Sequence, residues 1–435
     1  MATVYPFAAW RYNTDAVPLQ KVVTQPYDKI TAEMQERYYA AHPNNLVRII
    51  LGKRQPGDGG ENVYTRAAAY FRQWRQEGVL VQDSEPTLYA YSQEFVVPGS
   101  PGRQYIRRGF IGLGKLEPYS AGIVFRHEQT LAAPKVDRLN LLRATSAHFG
   151  QLFMLYSDPA AEVDEALGRI MRYPPDLQVG DDYGVCHRVW RIPGLVELIR
   201  SNMADKKLII ADGHHRYETA LNYQAERRTQ SGPAPEPGEA PYDRVMMTFF
   251  NVYGEGVVIL PTHRVLFGLS KFSPGDLVRE SRSFFNVRDV TKEFDAQNPT
   301  ALLPQTSAGE TAMLAVTSLS AFLFLANRGA PHPALEGLSS QQTELDIVRL
   351  HRVVIEGVLG ISEEAVREQK HIGYLRDARE AVQRVRGGGA NVAFLMNPVR
   401  IEQVRDMAFA GEVLPQKSTD FYPKLLSGLT IYALE

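Results

Sequence analysis

The run LIIADGHHRYETALN, residues 208–222, is the feature that most restricts the folds open to this chain. Its first part is an apolar run typical of a buried strand, and its second part repeats apolar residues at helical spacing. A single glycine, Gly213, stands near the junction. Because a strand that turns directly into a helix places the two elements in adjacent layers, the run predicts helices packed on a sheet.

Other patterns before residue 265 agree with this α/β interpretation. The spacing in TAEMQERYYAAH predicts a helix that Thr31 caps, and LVRIILG, residues 46–52, predicts a first strand. The alternating runs at 87–97 and 104–116 flank the turn PGSPG and predict a β-hairpin. Hairpins and strand-helix units in one chain indicate a sheet with mixed strand directions, and SGPAPEPGEAP at 231–241 predicts a mobile surface loop.

The arrangement of predicted helices and strands changes after about residue 266. Helical patterns alternate there with short strand patterns, as in an α+β sandwich of the ferredoxin-like kind. We therefore expect an α/β domain over 1–265, an α+β domain over 266–410, and a C-terminal segment, 411–435, that could return to the site of the first domain.

Charge and cysteine content limit the classes of function. The chain has 48 Lys and Arg against 49 Asp and Glu, so no net field attracts it to nucleic acid or to a membrane surface. Its single cysteine, Cys186, excludes an intramolecular disulfide and multi-cysteine metal sites. With no signal-peptide pattern and no apolar run long enough to span a bilayer, we expect a soluble, cytoplasmic protein.

The segment from Asp212 to Arg216 has the composition of an anion site. The first turn of a helix directs backbone N–H groups outward, and Gly213 permits close approach of a ligand. His215 and Arg216 add donors, and an arginine can bind a phosphate through two parallel hydrogen bonds. Asp212 could cap the helix, hold a metal or accept a proton.

The alternative is that Asp212 is only an N-cap and that the histidines and Arg216 are surface donors. Cations in a first helical turn oppose the helix dipole, so this run is unfavourable unless an anion lies beside it. We therefore favour a functional interpretation, in which Asp212, His214 and His215 are catalytic candidates.

Two further clusters contain residue types suited to catalysis and phosphate binding. RHEQTLAAPKVDRLNLLRAT combines acids and bases, among them His127, Glu128, Lys135 and Arg138. PQKSTDFYPK combines hydroxyls and cations in Lys417, Ser418, Thr419 and Lys424, but it lacks the glycines of a P-loop.

Two histidines require a choice between a functional and a structural role, or between a metal ligand and another role. In PTHR, His263 and Arg264 end an apolar strand, where either a ligand-binding or a structural histidine is common. His214 and Glu218 could share one face of a helix, but the chain has no His-Glu-x-x-His motif. We expect no tightly bound metal, and a magnesium ion that arrives with a nucleotide is the more reasonable expectation.

Long strings of this sequence resemble those of the bacterial and archaeal family called domain of unknown function 1015. They comprise PFAAWRYN, QPYDKI, the RHEQT and PKVDRLNLLRAT segments, IADGHHRYETAL, LPTHRV and PQKSTDFYPKLLSGL. The resemblance extends over nearly the whole chain, and it implies no established activity.

More distantly, DGHHR resembles the Gly-x-x-Arg element of the ParB/sulfiredoxin superfamily, which implies a ParB/sulfiredoxin-like N-terminal domain. The resemblance implies that Gly213 and Arg216 bind phosphate, with Asp212 and His214 beside the transferred group. Histidine stands where sulfiredoxins have their catalytic cysteine, and no DNA-reading helix-turn-helix is evident. The free serine kinases, which carry Asp-Gly-His-x-Arg, are the branch that fits best.

The resemblance therefore implies a phosphotransferase that uses ATP or ADP with Mg²⁺ and acts on a small hydroxylated metabolite such as free serine. Phosphoryl transfer relies mainly on positioning and charge neutralisation. On this hypothesis Arg216, Lys135 and Arg138 contact nucleotide phosphates, and Glu128 or Asp212 is the base. A nucleotide-binding switch without turnover and a metal-dependent phosphoesterase remain as alternatives.

Overall fold

The computed structural model describes residues 1–99, 102–128, 133–231, 240–305, 310–326 and 332–435. Most of the loop predicted at 231–241 lies outside these ranges. In the described ranges no helix is both long and apolar enough to cross a membrane.

Short and medium strands run through the whole chain. In chain order they are β1 (Val4–Tyr5), β2 (Trp10–Tyr12), β3 (Leu80–Gln82), β4 (Tyr89–Val96), β5 (Gln104–Lys115), β6 (Val124–Arg126), β7 (Ala147–His148), β8 (Leu152–Tyr156), β9 (Leu177–Gly180), β10 (Cys186–Arg191), β11 (Leu208–Asp212), β12 (Arg244–Asn251), β13 (Val258–Leu260), β14 (His263–Leu266), β15 (Asn286–Asp289), β16 (Thr311–Val316), β17 (Ala321–Ala326), β18 (Ile372–Leu375), β19 (Val392–Met396), β20 (Asp420–Tyr422) and β21 (Tyr432–Ala433).

Helices alternate with these strands. The α-helices are α1 (Leu19–Val22), α2 (Ala32–Ala41), α3 (Val47–Ile50), α4 (Val63–Gln76), α5 (Ala133–Thr145), α6 (Glu162–Ile170), α7 (Val196–Met203), α8 (His214–Ser231), α9 (Pro274–Ser281), α10 (Ser340–Thr343), α11 (Asp346–Arg349), α12 (Glu363–Arg367), α13 (Ala378–Arg386) and α14 (Ile401–Phe409). A π-helix, Leu350–Val358, continues α11. Single 3₁₀ turns lie at Tyr27–Lys29, Tyr119–Ala121, Pro193–Leu195, Pro241–Asp243 and Pro333–Leu335.

The chain divides into two compact units. Unit 1 comprises Met1–Arg126, Thr130–Val258 and Phe421–Glu435, and unit 2 comprises His127–Gln129 and Ile259–Asp420.

Unit 1 is built on a nine-stranded mixed sheet in the order β6-β11-β8-β12-β5-β4-β10-β9, with β1 paired to β5. The pairs β6/β11 and β8/β12 are parallel, and β4 and β5 form the predicted antiparallel hairpin. The mixed α/β class and the mixed strand directions predicted from the sequence are confirmed. Packed against the sheet, Tyr217 and Ala220 of α8 bury their side chains with Ile210 and Met154, so the strand and helix of the DGHHR run share one core.

Unit 2 has a six-stranded sheet in the order β15-β17-β16-β19-β14-β18. Every pair in it that the structure describes is antiparallel. Helix α13 contributes Ala381, Val382 and Val385 to the core with Val265 and Leu395. The apolar face of this helix repeats at three- and four-residue spacing, which is why the sequence pattern predicted it.

The prediction of a strand at LVRIILG is wrong. Residues Val47–Ile50 form α3, in which Val47, Ile49 and Ile50 are all buried, and the amide of Val47 donates 2.9 Å to Asn45 Oδ1. A short run that is apolar on every side is equally compatible with a buried strand and a buried helical turn, and periodicity does not distinguish them.

Candidate phosphate site and a second polar cluster

The candidate residues fall into the two units. Unit 1 holds Lys135, Arg138, Asp212, Gly213, His214, His215, Arg216 and Lys424, and unit 2 holds His127, Glu128, Lys417, Ser418 and Thr419.

The turn between β11 and α8 depends on Gly213. Its φ is +98°, and a Cβ at this position would lie 2.8 Å from Leu152 Cδ2. The amide of Tyr217 donates 3.0 Å to the carbonyl of Gly213, so Gly213 itself occupies the N-cap position and Asp212 precedes it. The first-turn amides of α8 therefore point out at the edge of the sheet where β11 ends.

Arg216 folds back over this turn. Its Nη1 donates 2.5 Å to the carbonyl of Gln151, and its Nη2 lies 3.6 Å from Asp212 Oδ2. Gly150 allows this approach, since a Cβ there would lie 3.1 Å from Arg216 Nη1. Gln151 and Gly150 precede β8, which pairs antiparallel with β11 and so begins where β11 ends. The strand pairing thus brings the two segments together.

Lys424 reaches the same carboxylate from the C-terminal segment. Its Nζ lies 3.9 Å from Asp212 Oδ2, and its side chain is 10% exposed. The backbone around it is fixed by two side chains of the central sheet: Gln93 donates 2.9 Å to the carbonyl of Lys424, and buried Arg107 donates 3.0 Å to the carbonyl of Tyr422.

Asp212 is a carboxylate held among cations. Burial alone would raise its pKa, but Lys424, Arg216 and Lys29, with a contribution from His214, outweigh that effect and hold the pKa well below the ordinary value. Asp212 is therefore ionised at neutral pH and is a weak proton acceptor.

A small cavity adjoins Arg216. It has a volume of about 60 Å³ and is lined by Pro26, Tyr27, Ile50, Arg138, Leu141, Leu142, Ala147, His148, Phe149, Gly150, Arg216, Thr219, Val245 and Ser427. Arg138 lies over the ring of Tyr27 with Cζ 4.0 Å from the centroid, and its Nη1 donates 2.7 Å to the carbonyl of Ile50. Two of the predicted phosphate ligands, Arg138 and Arg216, therefore line one cavity.

Lys135 takes a different position. Its ammonium group pairs with Glu218 on α8, and Lys135 does not line the cavity. The structure places Glu218 beside this lysine, so the carboxylate that shares a helix with His214 is engaged in an ion pair.

A second polar cluster lies in unit 2. His127 Nε2 is 2.7 Å from Thr419 Oγ1, and Glu128 Oε1 accepts 2.6 Å from the amide of Lys417. Thr419 Oγ1 donates 3.3 Å to the second oxygen of Glu128, while Ser418 Oγ donates 2.6 Å to the carbonyl of Pro415. The structure therefore brings together the RHEQT and PQKST motifs, which are far apart in the sequence.

Glu128 differs from Asp212 in its acidity. Burial raises the pKa of Glu128, although hydrogen bonds from Lys417 and Thr419 act in the opposite direction. Lys417 has a left-handed φ of +58°, which a non-glycine residue adopts only when its surroundings enforce it. This turn presents its amide to the carboxylate.

Sequence patterns did not single out several residues around the phosphate site. Tyr27, His148, Gly150 and Ser427 line the cavity, but they come from loops and strand ends that are distant in the chain. Tyr27 lies in QPYDKI and Ser427 lies in PQKSTDFYPKLLSGL, so for these two residues the family resemblance was an available signal. Within the described ranges no group of three or more His, Cys, Asp or Glu side chains is placed to hold a metal ion.

Several solved structures are similar to this chain at low identity. A conserved hypothetical protein from Pyrococcus furiosus is 14% identical, with 71% of this chain and 92% of that chain covered and a TM-score of 0.33. A mutant free serine kinase in complex with ADP is also 14% identical, with coverage of 71% and 89% and a TM-score of 0.34. SbnI with a C-terminal truncation, from Staphylococcus aureus, is 9% identical, with coverage of 74% and 87% and a TM-score of 0.35.

No curated protein matches the chain significantly. The model of one protein family matches residues 4–347, which is most of the chain and includes the β11 to α8 turn. The chain therefore belongs to the family described as protein of unknown function, DUF1015.

Proposed function

We propose that the turn at Gly213, with Arg216 and Lys424, binds a phosphate group of ATP or ADP, and that the protein is a nucleotide-dependent phosphotransferase. Its acceptor in this proposal is a small hydroxylated metabolite such as free serine. The observation that carries the proposal is that Arg216 and Lys424 both approach Asp212 at the start of α8, with Nη2 at 3.6 Å and Nζ at 3.9 Å from Oδ2.

Several cations act on Asp212. Lys424, Arg216 and Lys29 all lower the pKa of Asp212, so three cations act on one carboxylate. The N-terminus of α8 adds the positive end of a helix dipole. A phosphate is attracted to these cations and can accept hydrogen bonds from the helix amides and from a guanidinium.

The cavity beside Arg216 has the size of a phosphate group, although neither Gly213 nor Lys424 lines it. Its volume of about 60 Å³ corresponds to about four to six water molecules at roughly 10–15 Å³ each. A phosphate group has a similar number of heavy atoms, and Arg138 and Arg216 supply donors on the wall. The remainder of a nucleotide would extend into solvent or require the loops that line the cavity to open.

The nucleotide would supply a transferable phosphoryl group, and the residues of this chain would position and neutralise it. Asp212 orients Arg216 and Lys424 through its charge, and its lowered pKa makes it a poor base. Glu128 stays a predicted general base, for which its raised pKa is suitable, and within unit 2 it accepts from the amide of Lys417 while His127 contacts Thr419. We retain His214, His215 and Lys135 as proposed participants that flank the turn.

Magnesium would enter with the phosphates in this proposal. Phosphate oxygens and one or two carboxylates are the usual ligands of a catalytic Mg²⁺, so a preformed cage of protein ligands is not required. We also propose a ParB/sulfiredoxin-like arrangement for residues 1–265, a ferredoxin-like one for 266–410, and a cytoplasmic location.

The test is a direct assay of nucleotide consumption. Purified protein is incubated with ATP or ADP, Mg²⁺ and a panel of hydroxylated metabolites that begins with serine, and products are identified by mass spectrometry. We expect phosphorylated acceptor in equal amount to the nucleotide consumed. If no nucleotide is consumed and neither nucleotide shifts the melting temperature, the proposal fails.

A second candidate is a nucleotide-binding switch without turnover. The low pKa of Asp212 favours it, because the best-defined anion site has a weak base at its centre. This function predicts saturable ADP binding with no product for any acceptor. Consumption of nucleotide without an acceptor, abolished by a chelator, would instead indicate the phosphoesterase.

A further inference from the structure

Unit 2 contains a larger cavity that none of the predicted site residues lines. Its volume is about 160 Å³, and its wall combines valine and leucine side chains with His351, Arg352, Glu356 and Tyr374. At roughly 10–15 Å³ for each water molecule, it has room for about 11 to 16 water-sized groups. This is the size of a small organic molecule.

One wall of this cavity is a π-helix. Leu350–Val358 forms π-helical turns directly after α11, and it carries His351, Arg352 and Glu356. Runs of this length are rare because π-helical hydrogen bonding is less favourable than the α-helical pattern, and such segments are frequent at functional sites. The geometry aligns three polar side chains along one cavity.

Two buried polar atoms on the wall lack partners. His351 is 6% exposed, and its Nε2 has no hydrogen-bond partner among the residues that the structure describes. The hydroxyl of Tyr374, on β18, is in the same situation. A buried polar group without a partner is destabilising, and two of the residues that line this cavity each carry one.

The charges on the wall are balanced. Arg352 donates 2.9 Å to Glu356 and lies 3.3 Å from Glu363, while Arg367 supplies a second cation. Burial, with Arg264 and Arg352 nearby, lowers the pKa of His351 to about 3, so the imidazole is neutral at physiological pH. Two cations and two carboxylates with a neutral histidine give no net preference for an ionic ligand.

We propose that this cavity binds a small uncharged organic molecule, with an apolar body against Val348 and Val366 and a polar head that hydrogen-bonds to His351 and Tyr374. The site is contained in unit 2 and does not depend on the phosphate-site proposal.

The test uses four aromatic probes of nearly equal size: benzamide, toluene, benzoate and benzylamine. Binding to the full chain is followed by NMR of the histidine rings, with His351 assigned from the spectrum of a His351→Leu variant. We expect benzamide to shift the His351 ring saturably and to bind more tightly than either charged probe. Toluene should bind more weakly because it satisfies neither polar atom.

The matched variants are Tyr374→Phe and Tyr183→Phe, which each remove one hydroxyl. Tyr183 is 53% exposed and lies in unit 1, so its variant is the control. Loss of one neutral hydrogen bond should weaken benzamide binding to Tyr374→Phe by about two- to tenfold and leave toluene binding unchanged.

Three outcomes would overturn the proposal. They are the absence of saturable benzamide binding to the wild-type chain up to the solubility limit, tighter binding of benzoate or benzylamine than of benzamide, and equal benzamide affinity in the wild type and Tyr374→Phe. If a variant does not fold, the relative affinities of the four probes for the wild-type chain, measured from any ring signal that shifts saturably, still test the site.

Discussion

The guanidinium of Arg216 lies 3.6 Å from the carboxylate of Asp212, across the turn that Gly213 makes possible. This distance is longer than in a tight bidentate pair. One guanidinium nitrogen of Arg216, Nη1, donates a hydrogen bond to the carbonyl of Gln151 instead. The pair is thus held in place by the backbone around it, with the guanidinium on the wall of a cavity.

Removal of the guanidinium should abolish most of the affinity for nucleotide. We expect Arg216→Ala to weaken ADP binding by about ten- to a hundredfold, since one charge-assisted hydrogen bond is worth about 1.5–3 kcal/mol. Isothermal titration calorimetry measures the change. The control is Arg143→Ala, which removes an arginine that pairs with Glu226 away from the cavity. Unchanged ADP affinity in Arg216→Ala would contradict both nucleotide functions.

Replacement of Gly213 by alanine should destabilise unit 1 more than the same replacement of another glycine with a positive φ. Gly213→Ala combines a φ of +98° with a 2.8 Å contact to Leu152, whereas Gly122→Ala has a φ of +65° in open space. We expect about 1 kcal/mol of destabilisation for Gly122→Ala and at least about 1 kcal/mol more for Gly213→Ala. Urea unfolding measures both, and equal losses would show that the turn can relax.

The acid stability of the protein should depend on Asp212. Because the pKa of Asp212 in the fold is below its ordinary value of 3.8, the unfolded chain binds a proton there more readily than the folded chain. The stability that this carboxylate contributes is therefore complete well above pH 4 and is lost as the pH falls through the folded pKa. The difference in melting temperature between wild type and Asp212→Asn should be constant from about pH 8 to about pH 5 and shrink below about pH 4.

The same variant tests how Asp212 affects nucleotide binding and turnover. Asp212→Asn removes a negative charge from a cationic cluster, so phosphate binding should strengthen. In a phosphotransferase, the loss of the group that orients Arg216 and Lys424 should lower turnover despite the stronger binding. Weaker ADP binding in Asp212→Asn would show that the carboxylate contacts the ligand through a cation or a hydrogen bond.

His263 should make unit 2 sensitive to mild acid. Burial, with Arg264 beside it, lowers the pKa of His263 to about 4, and its Nδ1 accepts 3.1 Å from the amide of Met396. The unfolded chain therefore takes up a proton at this histidine before the folded chain does as the pH falls from its ordinary pKa of 6.5. The stability lost between about pH 7 and about pH 4 should reach about 3 kcal/mol.

A His263→Gln variant tests this assignment, because glutamine cannot titrate and its side-chain oxygen can still accept a hydrogen bond. The pH dependence of unit 2 unfolding should be shallower in the variant than in the wild type. If the two profiles are parallel, the acid sensitivity comes from other groups, such as buried His351.

Arg107 should hold the C-terminal segment in unit 1. It is fully buried, its pKa is lowered by burial to about 9, and it donates to Gln93 Oε1 and to the carbonyls of Tyr422 and Pro423. In Arg107→Met these three acceptors lose their donor, which should cost about 3 kcal/mol or more.

Arg107→Met should also weaken ADP binding, because the segment that positions Lys424 beside Asp212 is no longer fixed. The control is Arg188→Met, which removes a half-buried arginine that pairs with Glu94 on the same sheet. If the two variants have the same melting temperature and ADP affinity, Arg107 does not have this positioning role.

The sequence predicted elements whose information is local. The β4/β5 hairpin follows from alternation on both sides of a glycine-rich turn, and α2 follows from its helical spacing and from Thr31, which accepts from the amide of Met34. The β11 to α8 turn follows in the same way from an apolar run, one glycine and a helical pattern. The prediction failed at LVRIILG, where the sequence indicated a strand and the chain forms α3. A buried helical turn and a buried strand can have the same run of apolar residues.

The assembly of the sites, unlike these local elements, depends on contacts between residues that are distant in the sequence. Lys424 and Asp212, or His127 and Thr419, approach each other only because strand order and segment packing bring distant residues together. Residue type alone indicated that each could bind phosphate or move a proton, but it could not indicate which of them meet. The sequence pattern of residues 346–360 predicted a helix, but its π-helical geometry and the cavity beside His351 had no signal in the sequence patterns.

The sequence by itself thus determined the α/β class, the glycine-dependent turn and the chemistry available at the start of α8, because these depend on residues that are neighbours in the chain. The tertiary structure alone decided which cations surround Asp212, that Glu128 accepts from the amide of Lys417, and that His351 and Tyr374 line a common cavity. Pairing between strands and the exclusion of water from side chains are properties of the whole fold, and the pKa of each carboxyl follows from them.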